Sequence, residues 1–437
     1  MRRSVLGLIF FFKVICSNAQ KFLDLTPLDK DISKKIRQFI SYEEGDKIIR
    51  FSSGIYEINE TIKLSSDVML VGVSVDSTIL QFDLKGKENC IEIIGKRENK
   101  PNRIIENERV IHEGDRYYKI FNANPNLDLS EWGSESMGCM VKGKYLKEGV
   151  FEWKHGYDDI MKSTLGDSIL CYEIFPVRNV SLRDFTIKRL DETSGQTSNI
   201  FMNYTADCEI ARVESYNCNY SHVTLENSYN VKVEHCLFRE GFSHGNGGKA
   251  YGVALQYGSS WCSIEGCWFD SLRHGVVLQL GVSLNSIVGN YFENSYWTEV
   301  RLPEKSAGDI VFHGNFPFRN QVSYNICNNI VVDNSHGVNG PNAIVHNRVL
   351  LYGIYTNRKS VDSTFYIGCN LINKGGIFKG RLVTKGKAVR SCGNYIGERL
   401  QKSQGDCKNL GCSLQDLQIT LSSNDAIEYF GLTLPED

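Results

Sequence analysis

The chain has 437 residues, of which 41% are hydrophobic, and its formal net charge is -2. This charge excludes the basic surface that is typical of proteins that bind nucleic acid or anionic membranes. The apolar content is enough for a continuous core, and the 39 glycines and 8 prolines suit many tight turns without disorder.

The N-terminus has the pattern of an export signal. Arg2-Arg3 form a basic region, Val5–Cys16 an apolar core, and Ser17-Asn18-Ala19 a small-residue cleavage site. No other apolar run is long enough to span a bilayer. We therefore interpret 1–19 as a signal peptide and expect a secreted or periplasmic protein without membrane insertion.

The next residues predict a cap followed by short strands. In Asp29–Tyr42, one face at helical spacing carries Ile32, Ile36, Phe39 and Ile40. Such a helix is suited to covering the strand edges at the end of a stack. Between Lys47 and Leu80, short apolar runs separated by Gly54 and Gly72 predict β-strands. Residues 20–95 are thus expected to form an N-terminal cap and the first coils.

Residues 96–178 interrupt the regular spacing of the predicted strands. They are charged and lack the regular step of the residues that follow. Alternating stretches at Tyr117–Phe121 and Gly149–Trp153 still predict strands. This part is interpreted as an inserted β-rich subdomain or a large loop.

Residues 179–396 contain a repeated sequence motif. In this motif, apolar pairs flank an Asn or a small residue. Its clearest copies centre on Cys236, Cys267, Asn290, Asn325, Asn347, Asn370 and Asn394. The steps between them are 31, 23, 35, 22, 23 and 24 residues, and a base step of 22–24 indicates a stacked repeat. The short strands leave no room for helices and predict an all-β, right-handed parallel β-helix. Its asparagines are expected to stack in one internal ladder.

Over residues 45–396 this pattern resembles the pectin-lyase-like β-helix superfamily. The resemblance implies the fold but no particular activity. The aspartate cluster with which pectate lyases hold calcium is not recognisable, so no cofactor is expected, and calcium stays an alternative that no motif supports. The paired-aspartate motif of polygalacturonases and the uronan-epimerase motif are also missing, although Ser335-His336-Gly337 is faintly similar to the polygalacturonase histidine segment.

Removal of the signal leaves 13 of the 14 cysteines. Most are expected to be buried thiols of the coils, because they are scattered and have no zinc-ligand spacing. Cys407 and Cys412 lie in the polar tail at 397–437 and are better placed for a local disulfide. The tail itself is expected to cap the last coil.

One strand of each coil places a polar residue after an apolar first and third position. Because strand side chains alternate between faces, these fourth residues should point outward in one exposed column about 4.8 Å apart. The column consists of Glu226, Gln256, Gln279, His313 and Asp333. The alternative is that these solvent-facing positions are simply polar.

The repeat carries three long insertions, and functional residues often lie on such loops. They are Asp191–Asn199, Arg239–Lys249 and Asn294–Gly308. Other candidates for substrate binding are His244, Arg273, His274 and Arg301. The candidates for catalysis are His313, Asp333, His336 and Tyr257. Among the remaining histidines, His222 is expected to be exposed, and His235 and His346 to be structural.

The spacing favours elimination over hydrolysis. Glycosidases need two carboxyls about 5–9.5 Å apart, whereas Glu226 and Asp333 lie four strand steps apart, roughly 19 Å. Asp333 would need Asp309 or Glu304 as its partner. A lyase needs a base, an acid and a cation that neutralises a uronate carboxyl. The corresponding candidates are His313 or His336, Tyr257, and Arg273 or Arg301.

The sequence therefore predicts an exported, monomeric protein that acts on an acidic polysaccharide by β-elimination. Two alternatives remain open. One is a glycoside hydrolase on the same fold, and the other is a non-catalytic β-helix that binds glycans or attaches to a surface.

Overall fold

The structure is a computed structural model of the chain. The residues that it describes are 20–86, 88–100, 102–103, 116–122, 138–147, 150–153, 169–245, 247–298, 308–333, 336–356, 365–374, 381–383, 389–405, 407, 412–415, 417–418 and 425–432. The predicted signal peptide lies outside these residues and stays a prediction.

The chain is built mainly of short strands, numbered from β1 in chain order. The N-terminal part contains β1 (Lys21–Leu25), β2 (Lys47–Phe51), β3 (Gly54–Ile58), β4 (Ile62–Leu64), β5 (Val68–Val71), β6 (Thr78–Phe82) and β7 (Ile91–Ile94). The inserted part contains β8 (Lys96–Arg97), β9 (Asn102–Arg103), β10 (Arg116–Asn122), β11 (Cys139–Lys147), β12 (Val150–Trp153) and β13 (Ile169–Phe175). The main part contains β14 (Val177–Arg178), β15 (Val180–Arg189), β16 (Ile200–Asn203), β17 (Thr205–Tyr216), β18 (Ser221–Glu226), β19 (Tyr229–Glu234), β20 (Leu237–Arg239), β21 (Tyr251–Gln256), β22 (Ser263–Glu265), β23 (Trp268–Asp270), β24 (His274–Leu278), β25 (Ser286–Val288), β26 (Tyr291–Glu293), β27 (Ile310–Phe312), β28 (Gln321–Ser323), β29 (Ile326–Val332), β30 (Asn342–Val345), β31 (Arg348–Thr356), β32 (Phe365–Gly368), β33 (Leu371–Ile372), β34 (Arg381–Val383), β35 (Val389–Cys392), β36 (Tyr395–Ile396) and β37 (Arg399–Leu400).

Parallel pairing between successive coils confirms the predicted β-helix. The strands stack into three walls, because each pairs with its counterpart one coil further along. The first wall includes β19, β22, β25 and β28. The second includes β20, β23 and β26. The third wall, which carries the candidate site, includes β4, β7, β16, β18, β21, β24, β27 and the end of β29.

Alternation of side chains explains why these sequences form walls. In β19, Tyr229, Val231 and Val233 are buried, while the residues between them are more exposed. Inward residues of successive coils pack into one core that continues through the solenoid. In the second wall, the Phe269 and Phe292 rings stack with centroids 4.6 Å apart. Each coil thus buries its apolar face only against its neighbours, as repeat folds do.

Among the described residues, one helix follows β1 and another lies in the C-terminal tail. The predicted capping helix is confirmed as α1 (Ile32–Tyr42), which buries Ile32 and Ile36 against the core of the first coils. The second helix, α2 (Asp425–Phe430), belongs to the C-terminal tail. Neither these nor any other helix in the described parts of the chain is long and apolar enough to cross a membrane.

The predicted asparagine ladder is confirmed. From Asn290 through Asn325, Asn347 and Asn370 to Asn394, each side-chain amide donates to the side-chain oxygen of the next, at 2.9–3.0 Å. The first four also donate a backbone N–H to the same oxygen. A second ladder, not predicted, runs from Asn285 through Asn320 to Asn342 with the same geometry. Both ladders stay buried and satisfy the backbone where the coil turns.

The inserted strands form a separate antiparallel sheet beside the solenoid. The order is β12-β11-β10-β13-β8, with β9 paired to β13. Its buried face packs on the turn that joins the third wall to the first, where Tyr117 and Met140 meet Tyr229. The Met140 backbone N–H donates to the Gly258 carbonyl at 2.8 Å. The insertion therefore covers one side of the solenoid and borders the third wall.

The cysteine pairing and the course of the tail differ from the prediction. The local Cys407–Cys412 disulfide is wrong, because Cys369 bonds to Cys412 and Cys392 bonds to Cys407. Nine other cysteines are buried thiols, as expected. The tail does not only cap the last coil: α2 packs against Trp268 and Tyr291 in the middle of the solenoid. The tail returns along the outside of the coils because its apolar residues pack against apolar side chains there.

Candidate functional site

The third wall brings five of the candidate residues into one polar column. The strand register pairs Glu226 with Gln256, and places Gln279, His313 and Asp333 in the corresponding position of the next three coils. Alternation orients the column away from the core, since the preceding residues Leu225, Leu255, Leu278, Phe312 and Val332 are all buried in it. We call Glu226, Gln256, Gln279, His313 and Asp333 the polar column.

The middle of the polar column is less exposed than predicted. Gln256 and Gln279 are only 6% and 8% exposed. Gln279 donates its amide to Gln256 Oε1 at 2.7 Å, and Gln256 donates to Glu226 Oε1 at 2.7 Å. Tyr220 also donates its hydroxyl to Gln256 Oε1 at 3.0 Å. Because these amides hydrogen-bond within the polar column, they form a rigid surface and are not free to bind a substrate.

The inserted sheet contributes a cation to the Glu226 end of the column. The buried Lys119 donates from Nζ to Asn227 Oδ1 at 2.7 Å, and Nζ lies 6.0 Å from the centre of the Tyr257 ring. Burial raises the pKa of Glu226, although the Gln256 amide and the Lys119 charge act in the opposite direction. Tyr257 is 37% exposed, and burial and the Glu226 charge raise the pKa of its hydroxyl.

The other end of the column carries a histidine–aspartate pair. His313 Nδ1 lies 2.8 Å from Asp333 Oδ2, and both side chains are partly exposed. The His336 ring meets the His313 ring edge to face, with centroids 4.8 Å apart. Since Nδ1 is bound to the carboxylate, Nε2 of His313 is the nitrogen directed away from it. This arrangement is suited to moving a proton.

Backbone contacts hold the loop that presents His336. A side chain at Gly314 would place its Cβ 2.7 Å from the Gly337 carbonyl oxygen, so the two chain segments are in close contact. Asn339 donates its amide to the Asp333 carbonyl at 2.8 Å, and the Phe316 N–H donates to the Val338 carbonyl at 2.7 Å. The loop thus folds back over the end of the polar column.

Two of the predicted substrate ligands instead support the glycine-rich loop that contains Gly245, Gly247 and Gly248. Arg273 is 7% exposed and donates Nη1 to the carbonyls of Gly245, at 2.7 Å, and of Gly247. His244 is 4% exposed, lies 2.9 Å from the Ser271 carbonyl through Nε2 and stacks on Tyr296. Burial lowers the pKa of His244. Neither side chain faces an open groove, because each is buried against loop carbonyls or rings.

Loops from neighbouring coils also bury three further residues, of which His222 was predicted to be exposed. His274 is 7% exposed, is bound through Nδ1 to the Gly308 carbonyl at 2.8 Å, and burial lowers its pKa to about 3. His222 is fully buried between Ser215 and the Glu240 carbonyl, with its pKa also about 3. Asp309 is fully buried, accepts from the Asn328 N–H, and burial raises its pKa to about 6.

Arg301 and Glu304 lie outside the described residues and remain predictions. His235 and His346 contact Tyr429 and Tyr324, in agreement with structural roles. In the parts of the chain that the structure describes, the three side chains close enough to share a metal ion are His346, Cys369 and Cys412. Two of these are joined in a disulfide, which leaves them without thiolates for a metal.

Sequence reasoning missed the residues that position the site. Lys119 comes from a strand about 100 residues before its partner Asn227, and no local pattern connects them. Tyr220 and Asn339 are ordinary polar residues of loops until the coils are stacked. Gly314, by contrast, carries a signal, since a glycine directly after His313 indicates that another chain segment approaches closely.

Comparison with known proteins places the chain by its fold. No family model matches it, and no curated protein matches it either. Among solved structures it is similar to ORF18 of Geobacillus virus E2, with 11% identity over 86% of this chain and a TM-score of 0.53. It is also similar to the tailspike protein gp49 of Pseudomonas phage LKA1, with 12% identity over 84% of this chain and a TM-score of 0.54. The chain spans 60% and 68% of these two proteins. At such identities the likeness establishes a shared β-helix and nothing finer.

Proposed function

We propose that the protein binds an acidic polysaccharide along the third wall and cleaves it by β-elimination beside His313 and His336. The observation that carries this proposal is the His313–Asp333 hydrogen bond of 2.8 Å with a second imidazole 4.8 Å away. The polar column spans four strand steps, roughly 19 Å. A linear face of that length suits a polymer better than a small molecule.

The two histidines divide the proton transfers. Asp333 accepts the Nδ1 proton of His313 and so fixes the tautomer in which Nε2 is the base. Nε2 removes the proton on the carbon beside the uronate carboxyl. Arg301 stays the candidate for the cation that neutralises this carboxyl, because Arg273 is buried. The electron pair forms the carbon–carbon double bond as the bond to the leaving oxygen breaks. His336 donates a proton to that oxygen.

His336 replaces Tyr257 as the acid in this scheme. Tyr257 follows Gln256, which lies two strand steps from His313, or roughly 9.6 Å. Elimination acts on neighbouring atoms of one sugar, so a base and an acid must lie close together. The two imidazoles meet that requirement. Tyr257, which is 37% exposed, is better placed to contact a neighbouring sugar of the same polymer.

Hydrolysis finds less support in the carboxyl groups. Asp309, one of the suggested partners of Asp333, is fully buried and bound to the backbone N–H of Asn328. Glu226 lies at the far end of the polar column, well beyond the separation of about 5–9.5 Å that glycosidases use. The histidine pair therefore favours elimination over the hydrolase alternative.

The test is a screen of purified protein against uronate-containing and neutral polysaccharides. Absorbance at about 235 nm detects the unsaturated product, and a reducing-end assay detects any chain cleavage. We expect both signals with an acidic polymer. His313→Ala and His336→Ala should each lower turnover by about 100-fold or more, the range for a general acid or base.

His235→Asn is the matched control, since His235 contacts Tyr429 on the ladder side of the solenoid. It should keep wild-type turnover, and all three variants should keep the wild-type circular dichroism spectrum. Reducing ends without 235 nm absorbance would replace elimination by hydrolysis. Binding without either signal would replace catalysis by the glycan-binding alternative.

A further inference from the structure

We propose that a cavity at the start of the third wall is a second glycan site, separate from the polar column, that takes neutral sugar residues. The cavity measures ≈ 500 Å³ and lies between the loops that lead into β16 and β21. Its volume falls in the usual range for small-ligand sites. The inference depends on the proposed function only in its assumption of a glycan partner.

The lining has the chemistry that a sugar needs. The residues that line the cavity include Thr193, Gln196 and Ser243, which carry hydroxyls or an amide, and Phe242, which carries an aromatic ring. Its charged residues, Glu192 and Lys249, are opposite in sign and give no preference for a polyanion. An aromatic face beside hydrogen-bonding groups suits the apolar face and the hydroxyls of a neutral sugar.

One polar group in the cavity is unmatched within the described residues. The Thr193 hydroxyl is buried and has no hydrogen-bond partner there. A buried hydroxyl without a partner is costly, and native proteins usually satisfy such groups. Because this hydroxyl has almost no exposed surface, a ligand hydroxyl would supply the missing bond only after the Thr193 side chain turns toward the cavity.

The first loop is fixed by buried contacts. Asn219 accepts from the Thr193 N–H at 3.1 Å and donates to the Thr197 hydroxyl at 3.1 Å. The fully buried Arg189 forms an ion pair with Asp191 at 3.0 Å at the base of the same loop. A site held in this way loses little conformational entropy when a ligand binds.

The second loop is fixed by Arg273, whose guanidinium binds two loop carbonyls and stacks 4.4 Å over the Trp297 ring. The loops meet at Gly248, where a Cβ would lie 2.5 Å from Gln196 Nε2 and 2.6 Å from the Tyr220 ring. Tyr220 in turn binds Gln256 of the polar column. The cavity therefore adjoins the same wall as the polar column, at the beginning of its strands.

The test uses the His313→Ala chain, so that cleavage does not disturb the measurement. Linear neutral tetrasaccharides of glucose, mannose, galactose and xylose are titrated by calorimetry. We expect one of them to bind. Adding Phe242→Ala should weaken that binding about tenfold through lost stacking. Adding Thr193→Val should weaken it about fivefold through one lost hydrogen bond.

Phe175→Ala is the matched control, because Phe175 is 54% exposed and does not line the cavity. It should leave binding unchanged. The inference is overturned if no tetrasaccharide binds. It is also overturned if the Phe242 and Thr193 variants have the wild-type circular dichroism spectrum and bind as tightly as the control. Sugar binding by this cavity with no elimination product from the wild-type chain would support the inference while defeating the proposed reaction.

Discussion

Asp309 is the buried acid directly before β27, the strand that His313 follows. Burial raises its pKa from the ordinary 3.8 to about 6. A raised pKa means that its contribution to stability is fully present below about pH 3.8 and is lost as the pH rises through about 6. A shift of two pKa units corresponds to about 3 kcal/mol. The ionised carboxylate therefore destabilises the folded chain at neutral pH.

Asp309→Asn should remove this part of the pH dependence. The amide oxygen keeps the acceptor for the Asn328 N–H, while no charge is buried. We expect the variant to unfold at a higher temperature than the wild type at pH 8, and to match it more closely at pH 5. Thermal midpoints of both proteins at the two pH values give the difference. If the thermal midpoint of the wild type exceeded that of the variant by more as the pH rises, Asp309 would not be the acid that destabilises the fold.

At the residue scale, the sequence could predict the direction in which a side chain points but not how deeply it is buried. Alternation within each strand gives the outward orientation of His313 and Asp333, because it depends only on neighbours in the chain. The burial of Gln256, His274 and Arg273 depends on loops from other coils. The lengths and courses of those loops are not encoded in strand alternation.

The loop after β29 is the element that brings His336 to His313. Gly314 has a φ of +75°, and a Cβ there would meet the Gly337 carbonyl oxygen at 2.7 Å. Gly314→Ala should therefore displace the loop and separate the two imidazoles. We expect kcat to fall at least tenfold, since catalysis is sensitive to displacements of about 1 Å.

Gly431→Ala separates that displacement from backbone strain. Gly431 also has a positive φ, of +63°, yet nothing lies within 4 Å of its Cβ position. It should keep wild-type kcat in the uronate assay. The positioning role of Gly314 is excluded if its variant retains kcat, or if both glycine variants lose activity equally.

The asparagine ladder is the element that fixes the turns of the later coils. Asn347 donates to the Val322 carbonyl and to Asn370, and accepts from the N–H and the amide of Asn325. Asn347→Leu would leave these buried groups without partners, at about 1–3 kcal/mol each. We expect a clear loss of thermal stability, measured by calorimetry.

Gln321→Leu is the control for this substitution, since Gln321 is exposed on the neighbouring strand β28. Its thermal midpoint should stay within about 2 °C of the wild type, as for most surface changes. Equal midpoints for the two variants would show that the ladder adds nothing to stability.

The second ladder could have been found in the sequence. Asn285, Asn320 and Asn342 each stand five residues before Asn290, Asn325 and Asn347. A constant offset within a repeat indicates a second stack of equivalent positions. The disulfides could not be derived in this way, because Cys407 and Cys412 lie in the irregular tail. Their partners depend on where that tail meets the last coils.

At the scale of the whole molecule, the additions to the solenoid gather at the third wall. The inserted sheet brings Lys119 to Asn227, directly after Glu226, and the loops before β16 and β21 line the cavity. A bare stack of coils exposes a regular wall, and these additions give one wall an irregular surface that can select a ligand. The interruption at 96–178 could be predicted from the lost repeat, but not the wall that it would border.

The C-terminal tail runs on another side and stabilises the middle coils. In α2, Ala426 is buried and Phe430 packs against Trp268, with ring centroids 5.7 Å apart. The neighbouring Tyr429 ring lies 4.4 Å from His235. The tail thus joins coils that are far apart in sequence from its own residues.

Removal of residues 421–437 should therefore weaken the middle of the solenoid and expose Trp268. We expect a red shift of tryptophan fluorescence and a lower thermal midpoint. Phe430→Ala should produce the same changes to a smaller extent, since it deletes one half-buried ring. Glu428→Ala is the control, because Glu428 is exposed on the same helix. If the truncated chain kept wild-type emission and melting, the packing of α2 on Trp268 would contribute nothing to stability, and the solenoid would be stabilised by its own coils alone.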